Sequence, residues 1–158
     1  MIAGPAPSAK TQSTHSVSPV AGPSGPWLLA VKLNGTRVLM AVDTGTNDLI
    51  IDDSAVRGYK VQQFPSRRQL FWTGSMVAVR NAMVQTLEIG DITIRNVPAS
   101  EMSLRKWSLE VNPRGQRVAG IIGLSILSKL HPTMDYKKQT LTLRTEEASY
   151  QPGPSAMT

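Results

Sequence analysis

Apolar and polar residues alternate along most of this chain, and short turn signals cut the alternation into strand-sized pieces. The run WLLAVKLNGTRVLMAV, from Trp27, breaks at Asn34-Gly35. That dipeptide favours a type I′ turn, because both residues tolerate positive φ and the turn matches the twist of paired strands. A hairpin is therefore predicted there. A second is predicted in VQTLEIGDITIRNVP, where Leu87 and Ile89 precede a Gly90-Asp91 turn and Ile92, Ile94 and Val97 follow it. HPTMDYKKQTLTLR gives a third, with Lys137 and Lys138 in the turn. Between the first two lies FPSRRQLFWTGSMVAVRNAMV, in which Gly74-Ser75 would tip a longer hairpin. Helical spacing appears in GLSILSKL, with Leu124, Leu127 and Leu130 on one side and Pro132 as the stop. The fold class expected is all-β, a barrel-like lobe with one short C-terminal helix. A weak echo runs through it: VKLNGTRVLMAVDTG and LEIGDITIRNVPA…VAGIIG each read as a hairpin, then a hydrophobic strand ending in glycine.

Composition refines this picture at the ends. Residues 1–26 are rich in Pro, Gly, Ser, Thr and Ala, so they read as a flexible leader or linker that buries too little apolar surface to offset its ordering entropy. Residues 146–158 read as a flexible tail, which leaves 27–145 as the folded domain. At 158 residues the chain suits one core rather than two. No apolar run approaches the length of a membrane-spanning helix, so no membrane insertion is expected. The expected location is an extracytoplasmic domain, periplasmic or membrane-tethered, excised from a longer precursor.

Charge and side-chain chemistry exclude several function classes. The net charge is +6, spread over small groups such as Arg67-Arg68, Arg105-Lys106 and Lys137-Lys138. Aromatics make up only 5% of the chain, too few to interleave with these groups as a nucleic-acid surface would. There is no cysteine, hence no thiolate, and the two histidines, His15 and His131, have no ligand-like spacing. Neither a metal nor another cofactor is expected. His131 also lacks a nucleophile-elbow sequence with which to build a serine triad.

One triplet stands out. MAVDTGTNDLII places Asp43-Thr44-Gly45 between two hydrophobic runs. A chance Asp-Thr-Gly in a chain of this length has a probability on the order of a few per cent, and the triplet also reads as an ordinary turn, with Asp accepting local backbone hydrogen bonds and Gly supplying the unusual dihedral. The flanking strands argue for more, because a carboxylate set among buried strands is costly unless it is hydrogen-bonded or used. Farther along, VAGIIGLSIL is an apolar strand that turns through Gly123 into the helix.

In this order of hairpin, Asp-Thr-Gly, hairpins, Ile-Ile-Gly, helix and last strand, the chain resembles the retropepsin-like aspartic proteases over about residues 27–144. The resemblance implies that Asp43 is the catalytic aspartate. Thr44 would hydrogen-bond across to a second such loop, Gly45 would permit the close turn, and Thr46 would support the Asp43 carboxylate. Ile121, Ile122 and Gly123 would buttress the loop. Asn47 and Asp48 would contact the substrate main chain. Residues 70–76 would form a flap, with Trp72, Thr73 and Gly74 against the substrate. A single carboxylate lacks the shared proton of an aspartic dyad, and no second Asp-Thr/Ser-Gly occurs in the sequence. The second aspartate is therefore expected from Asp43 of another copy in a homodimer. Peptide or protein is the expected substrate. Two departures bear on this: Leu124-Ser125 stands where retroviral enzymes carry Arg-Asn or Arg-Asp, and the flap lacks a glycine-rich tip. They keep open an alternative, a non-catalytic peptide-binding or assembly module with the same fold.

Overall fold

The computed structural model describes residues 11–17, 27–111 and 115–147. In chain order the strands are β1 (Thr11–Val17), β2 (Leu28–Leu33), β3 (Thr36–Val42), β4 (Leu49–Asp52), β5 (Gln62–Trp72), β6 (Ser75–Ile89), β7 (Ile92–Met102), β8 (Gly120–Ile122), β9 (Thr133–Asp135) and β10 (Thr140–Glu147). Two short helices interrupt them, α1 (Asp53–Gly58) and α2 (Leu124–Leu127). Seven strands form one sheet in the order β2-β3-β8-β4-β7-β6-β5. Because β2 also pairs with β6, through Lys32↔Glu88 and Leu33↔Leu87, six of them close into a barrel and β5 stays outside it. Closure removes the exposed edges that an open sheet would carry.

The hairpin turns follow their dipeptides. Asn34 and Gly35 have φ of 49° and 87°, and pairing runs from Leu33↔Thr36 to Leu28↔Ala41. Asn34 does more than turn. Its Nδ2 donates to the carbonyls of Tyr59 and Lys60, at 3.0 and 3.2 Å, and its Oδ1 accepts from the Thr86 amide at 3.1 Å. One turn residue thus joins the chain after α1 to β6. The tip of the long hairpin lies one residue earlier than Gly74-Ser75: Thr73 and Gly74 take the positive φ values, 46° and 82°, and Trp72 faces Ser75. On β5 the register slips between Gln63 and Arg67, around Pro65. Proline cannot donate to a ladder, and an edge strand is where it is tolerated.

The core has two sides, which explains why several strands read as unbroken apolar runs. In β4 all four residues are buried; Leu49 and Ile51 enter the barrel interior, while Ile50 faces outward. In β8, Ile122 faces in and Ile121 out. The outward cluster gathers Leu28, Ile50, Leu70, Trp72, Val79, Met102, Leu104, Val118 and Ile121 beneath the β5–β6 hairpin.

Two expectations need revision. Thr11–Val17, inside the segment read as a leader, is a strand, paired with β10 from Thr11↔Glu147 to Val17↔Leu141. Thr11, Thr14 and Val17 are β-branched and suit a strand, and β10 supplies a free edge, which composition alone does not show. Helix α1 was not anticipated. It starts on Asp52, whose Oδ2 accepts from the Ser54 amide at 3.2 Å, and Oδ1 of the same carboxylate accepts from the Leu104 amide at 2.8 Å. A six-residue helix is too short to show a periodicity, so its signal lies in this N-cap alone.

Candidate active site

The Asp-Thr-Gly triplet sits on the loop between β3 and β4, and β8 runs between those same two strands. Ala41↔Ile121 and Val42↔Ile122 pair in parallel, while Leu49↔Ile122 and Ile50↔Ile121 pair antiparallel. The loop therefore straddles the end of β8. Its backbone is fastened on both sides: the Asp43 amide donates to the Ile122 carbonyl at 3.1 Å. Beyond Gly123, the amides of Leu124 and Ser125, the first residues of α2, donate to the carbonyls of Thr46 and Asn47 at 2.9 and 2.8 Å. Contact is so close that a Cβ on Gly123 would lie 2.5 Å from the Asp48 carbonyl oxygen and 2.6 Å from that of Thr46. At Gly120, a Cβ would lie 2.2 Å from the Ile50 carbonyl oxygen. Both glycines are required by space rather than by φ.

Held this way, the loop presents Asp43, Thr44 and Gly45 to solvent and buries Thr46. The Gly45 amide donates to Asp43 Oδ1 at 2.8 Å, which fixes one carboxylate oxygen in the turn. Above the loop opens a cleft of about 730 Å³. Asp43, Gly45 and Thr46 form its floor with Ile121, and Phe71, Trp72, Thr73 and Gly74 of the β5–β6 hairpin line it too. Its remaining wall is mainly apolar, including Leu28, Leu109, Val111 and Val118.

The structure thus brings Asp43, Gly45, Thr46, Ile121, Trp72, Thr73 and Gly74 to one cleft. Ile122 and Gly123 lie behind the loop, and Thr44 is exposed beside it. Asn47 and Asp48 do not line the cleft. The Asp48 carboxylate, expected against a substrate main chain, is taken up within the fold. Its Oδ2 pairs with Arg68 Nη2 and accepts from the Ser100 hydroxyl at 2.7 Å.

Sequence reasoning passed over Arg68, Ser100 and the wall residues Leu109 and Val111. For Arg68 a signal existed: alternation along β5 puts Arg68, Leu70 and Trp72 on one face. For Leu109 and Val111 there was none, since they follow a 3-10 turn at Leu104–Trp107 in an irregular segment. Among the described residues no cluster of three or more metal-ligating side chains occurs, and no helix is long and apolar enough to cross a membrane.

Comparison with known proteins gives the family and the fold. The family model described as aspartyl protease matches residues 29–126, and the chain belongs to that family. Its fold is retropepsin-like. It is similar to a crystal structure of a retropepsin-like aspartic protease from Rickettsia conorii, with a TM-score of 0.59 and 14% identity over 87% of this chain and 96% of the other. EIAV protease, complexed with the inhibitor HBY-793, aligns at 15% identity over 66% of this chain and 88% of its own, with a TM-score of 0.47. No curated protein matches the chain.

Proposed function

We propose that the chain is an aspartic endopeptidase that works as a homodimer, with one Asp43 from each copy. The observation that carries this reading is the exposed Asp43 at the floor of a peptide-sized cleft, on a loop fastened to both sides of β8. An exposed lone carboxylate is a poor catalyst for amide hydrolysis. Two brought together share one proton: the ionised group takes a proton from water as that water attacks the scissile carbonyl, and the protonated group donates to the carbonyl oxygen. The sequence holds a single Asp-Thr-Gly, so a second copy supplies the partner. Thr44 is exposed on the loop, and in this reading it would meet the other loop.

The substrate would lie extended between this floor and the β5–β6 hairpin, which acts as the flap. Trp72 is buried against the outward core cluster, and its indole N–H has no acceptor among the described residues. A buried unpaired donor costs about 1–3 kcal/mol.

The test is Asp43→Asn in the full chain. It keeps the shape of the loop but removes the ionisable group. Cleavage of a peptide library at mildly acidic pH should fall by at least about a thousandfold, on the scale of deleting a nucleophile or base elsewhere, with the unfolding midpoint unchanged. Cleavage at the wild-type rate would reject the assignment.

A further inference from the structure

Arg67 and Arg68 are neighbours in sequence, but the alternation of β5 sends them to opposite faces. Arg67 stands across from Arg80, on the exposed side. Arg68 stands across from Val79, which is fully buried in the outward cluster, and it shares that face with Leu70 and Trp72. The inner face of the flap strand thus reads Arg68, Leu70, Trp72 from its base towards its tip. Trp72 reaches the cleft at the top. At the bottom, Arg68 reaches the loop that carries Asp43.

Three elements meet at the Arg68 guanidinium. Nη2 pairs with the carboxylate of Asp48, at the end of the Asp43 loop, and donates to the Ser100 hydroxyl on β7. Nε donates to Asn81 Oδ1 on β6 at 3.1 Å, and Asn81 Nδ2 donates in turn to Ser66 Oγ at 3.0 Å. Ser100 is fully buried, and the Asp48 side chain is only 12% exposed. A carboxylate so far withdrawn from water needs its partners: removal of the arginine would leave it a buried charge with one hydroxyl. A guanidinium suits the task better than an ammonium, because its planar fork offers several donors in fixed directions at once.

We propose that Arg68 is a positioning residue for the Asp43 site. It locks the base of the flap strand to the loop, so that closure over a peptide and the placement of Asp43 are one motion rather than two. The inference rests on the proteolytic reading for its effect on turnover, and on the structure alone for the coupling of strand to loop. Arg68 touches neither the cleft nor Asp43, so it acts through Asp48.

The experiment compares wild-type chain, Arg68→Gln, Arg68→Lys, Asp48→Asn and the Arg68→Gln/Asp48→Asn double variant, with Asp43→Asn as the inactive control. Turnover of a cleaved peptide is read as separate kcat and KM, at a temperature well below every unfolding midpoint. Amide hydrogen exchange is followed for residues 45–49, for β5, and for the β2–β3 hairpin as reference. Expected are a loss in kcat of about ten- to a hundredfold for Arg68→Gln, the scale of a small misplacement of a reacting group, and partial recovery in Arg68→Lys. The double variant should be no worse than the poorer single one, because both substitutions break the same link. Exchange should quicken in residues 45–49 and in β5 together, but not in the β2–β3 hairpin. A kcat for Arg68→Gln within twofold of wild type, or full additivity in the double variant, overturns the proposal. Should the wild-type chain cleave nothing, the proteolytic reading fails, and exchange decides the coupling by itself: unchanged exchange at residues 45–49 in Arg68→Gln overturns it.

Discussion

Gly123 shows how much of this site depends on a single missing methyl group. Its neighbours in the tight spot are backbone carbonyl oxygens of Thr46 and Asp48 rather than movable side-chain ends. Gly123→Ala must therefore push the loop and α2 apart, stretching the bonds from Leu124 and Ser125. The cost expected is about 1–3 kcal/mol, typical of overpacking, read as a lower midpoint in chemical denaturation. Activity should fall more steeply than stability, since the displaced part carries Asp43. At this scale the sequence was informative where a residue's chemistry is unusual in its surroundings. Asp43 among apolar strands and the glycine after Ile121-Ile122 could both be read from their neighbours. Asp48 could not, because its role depends on Arg68, twenty residues later on another strand. A carboxylate looks the same in sequence whether it meets a substrate amide or a guanidinium.

Elements that end in turns were the legible ones. Asn34-Gly35, Gly90-Asp91 and Lys137-Lys138 each mark a turn by local chemistry, and Asp135 closes the last of them by accepting from the amides of Lys137 and Lys138, both at 3.0 Å. The side-chain bonds of Asn34 were not legible, since they depend on where Tyr59, Lys60 and Thr86 arrive. Asn34→Gly separates the two roles: the turn remains accessible, but three hydrogen bonds go. A loss of about 1–3 kcal/mol is expected, measured as a shift in urea midpoint with an unchanged m-value. The tip of the β5–β6 hairpin offers the opposite test. Thr73 is β-branched yet holds φ at 46°, a conformation that costs roughly 1–2 kcal/mol for such residues. Thr73→Asn should raise the thermal midpoint by a few degrees, since asparagine accepts that region more easily. If the tip also contacts substrate, KM should move while kcat for bound peptide stays near the wild-type value. Helix α1 and strand β1 illustrate what stays hidden: a helix defined by one cap, and a strand defined by an available edge.

For the whole molecule, the sheet order makes sense of the echo between the two halves of the sequence. After the β2–β3 hairpin, β4 pairs in parallel with β7; after the β6–β7 hairpin, β8 pairs in parallel with β3. Each half lends a strand to the other half's hairpin, so the pattern VDTG and its counterpart IIG come to lie side by side. The proposed dimer repeats the principle between copies, with a testable signature. Mixing wild-type chain with an equal amount of Asp43→Asn chain and allowing exchange should leave about a quarter of dimers with two intact aspartates. Activity per wild-type chain should then drop by about half, whereas independent monomers would show no change. Dilution should lower specific activity for the same reason.

The position of β8 also has a consequence for the protein's first moments. Met40 pairs with Gly120, so the strands that frame Asp43 are joined by a partner made about eighty residues later, and such long-range parallel pairing forms late in folding. A nascent chain that has emerged only as far as the β5–β6 hairpin carries the Asp-Thr-Gly triplet but lacks β8 to hold it. For the proposed protease, synthesis itself would be the safety catch: the blade is made first, and its hinge pin follows about eighty residues later.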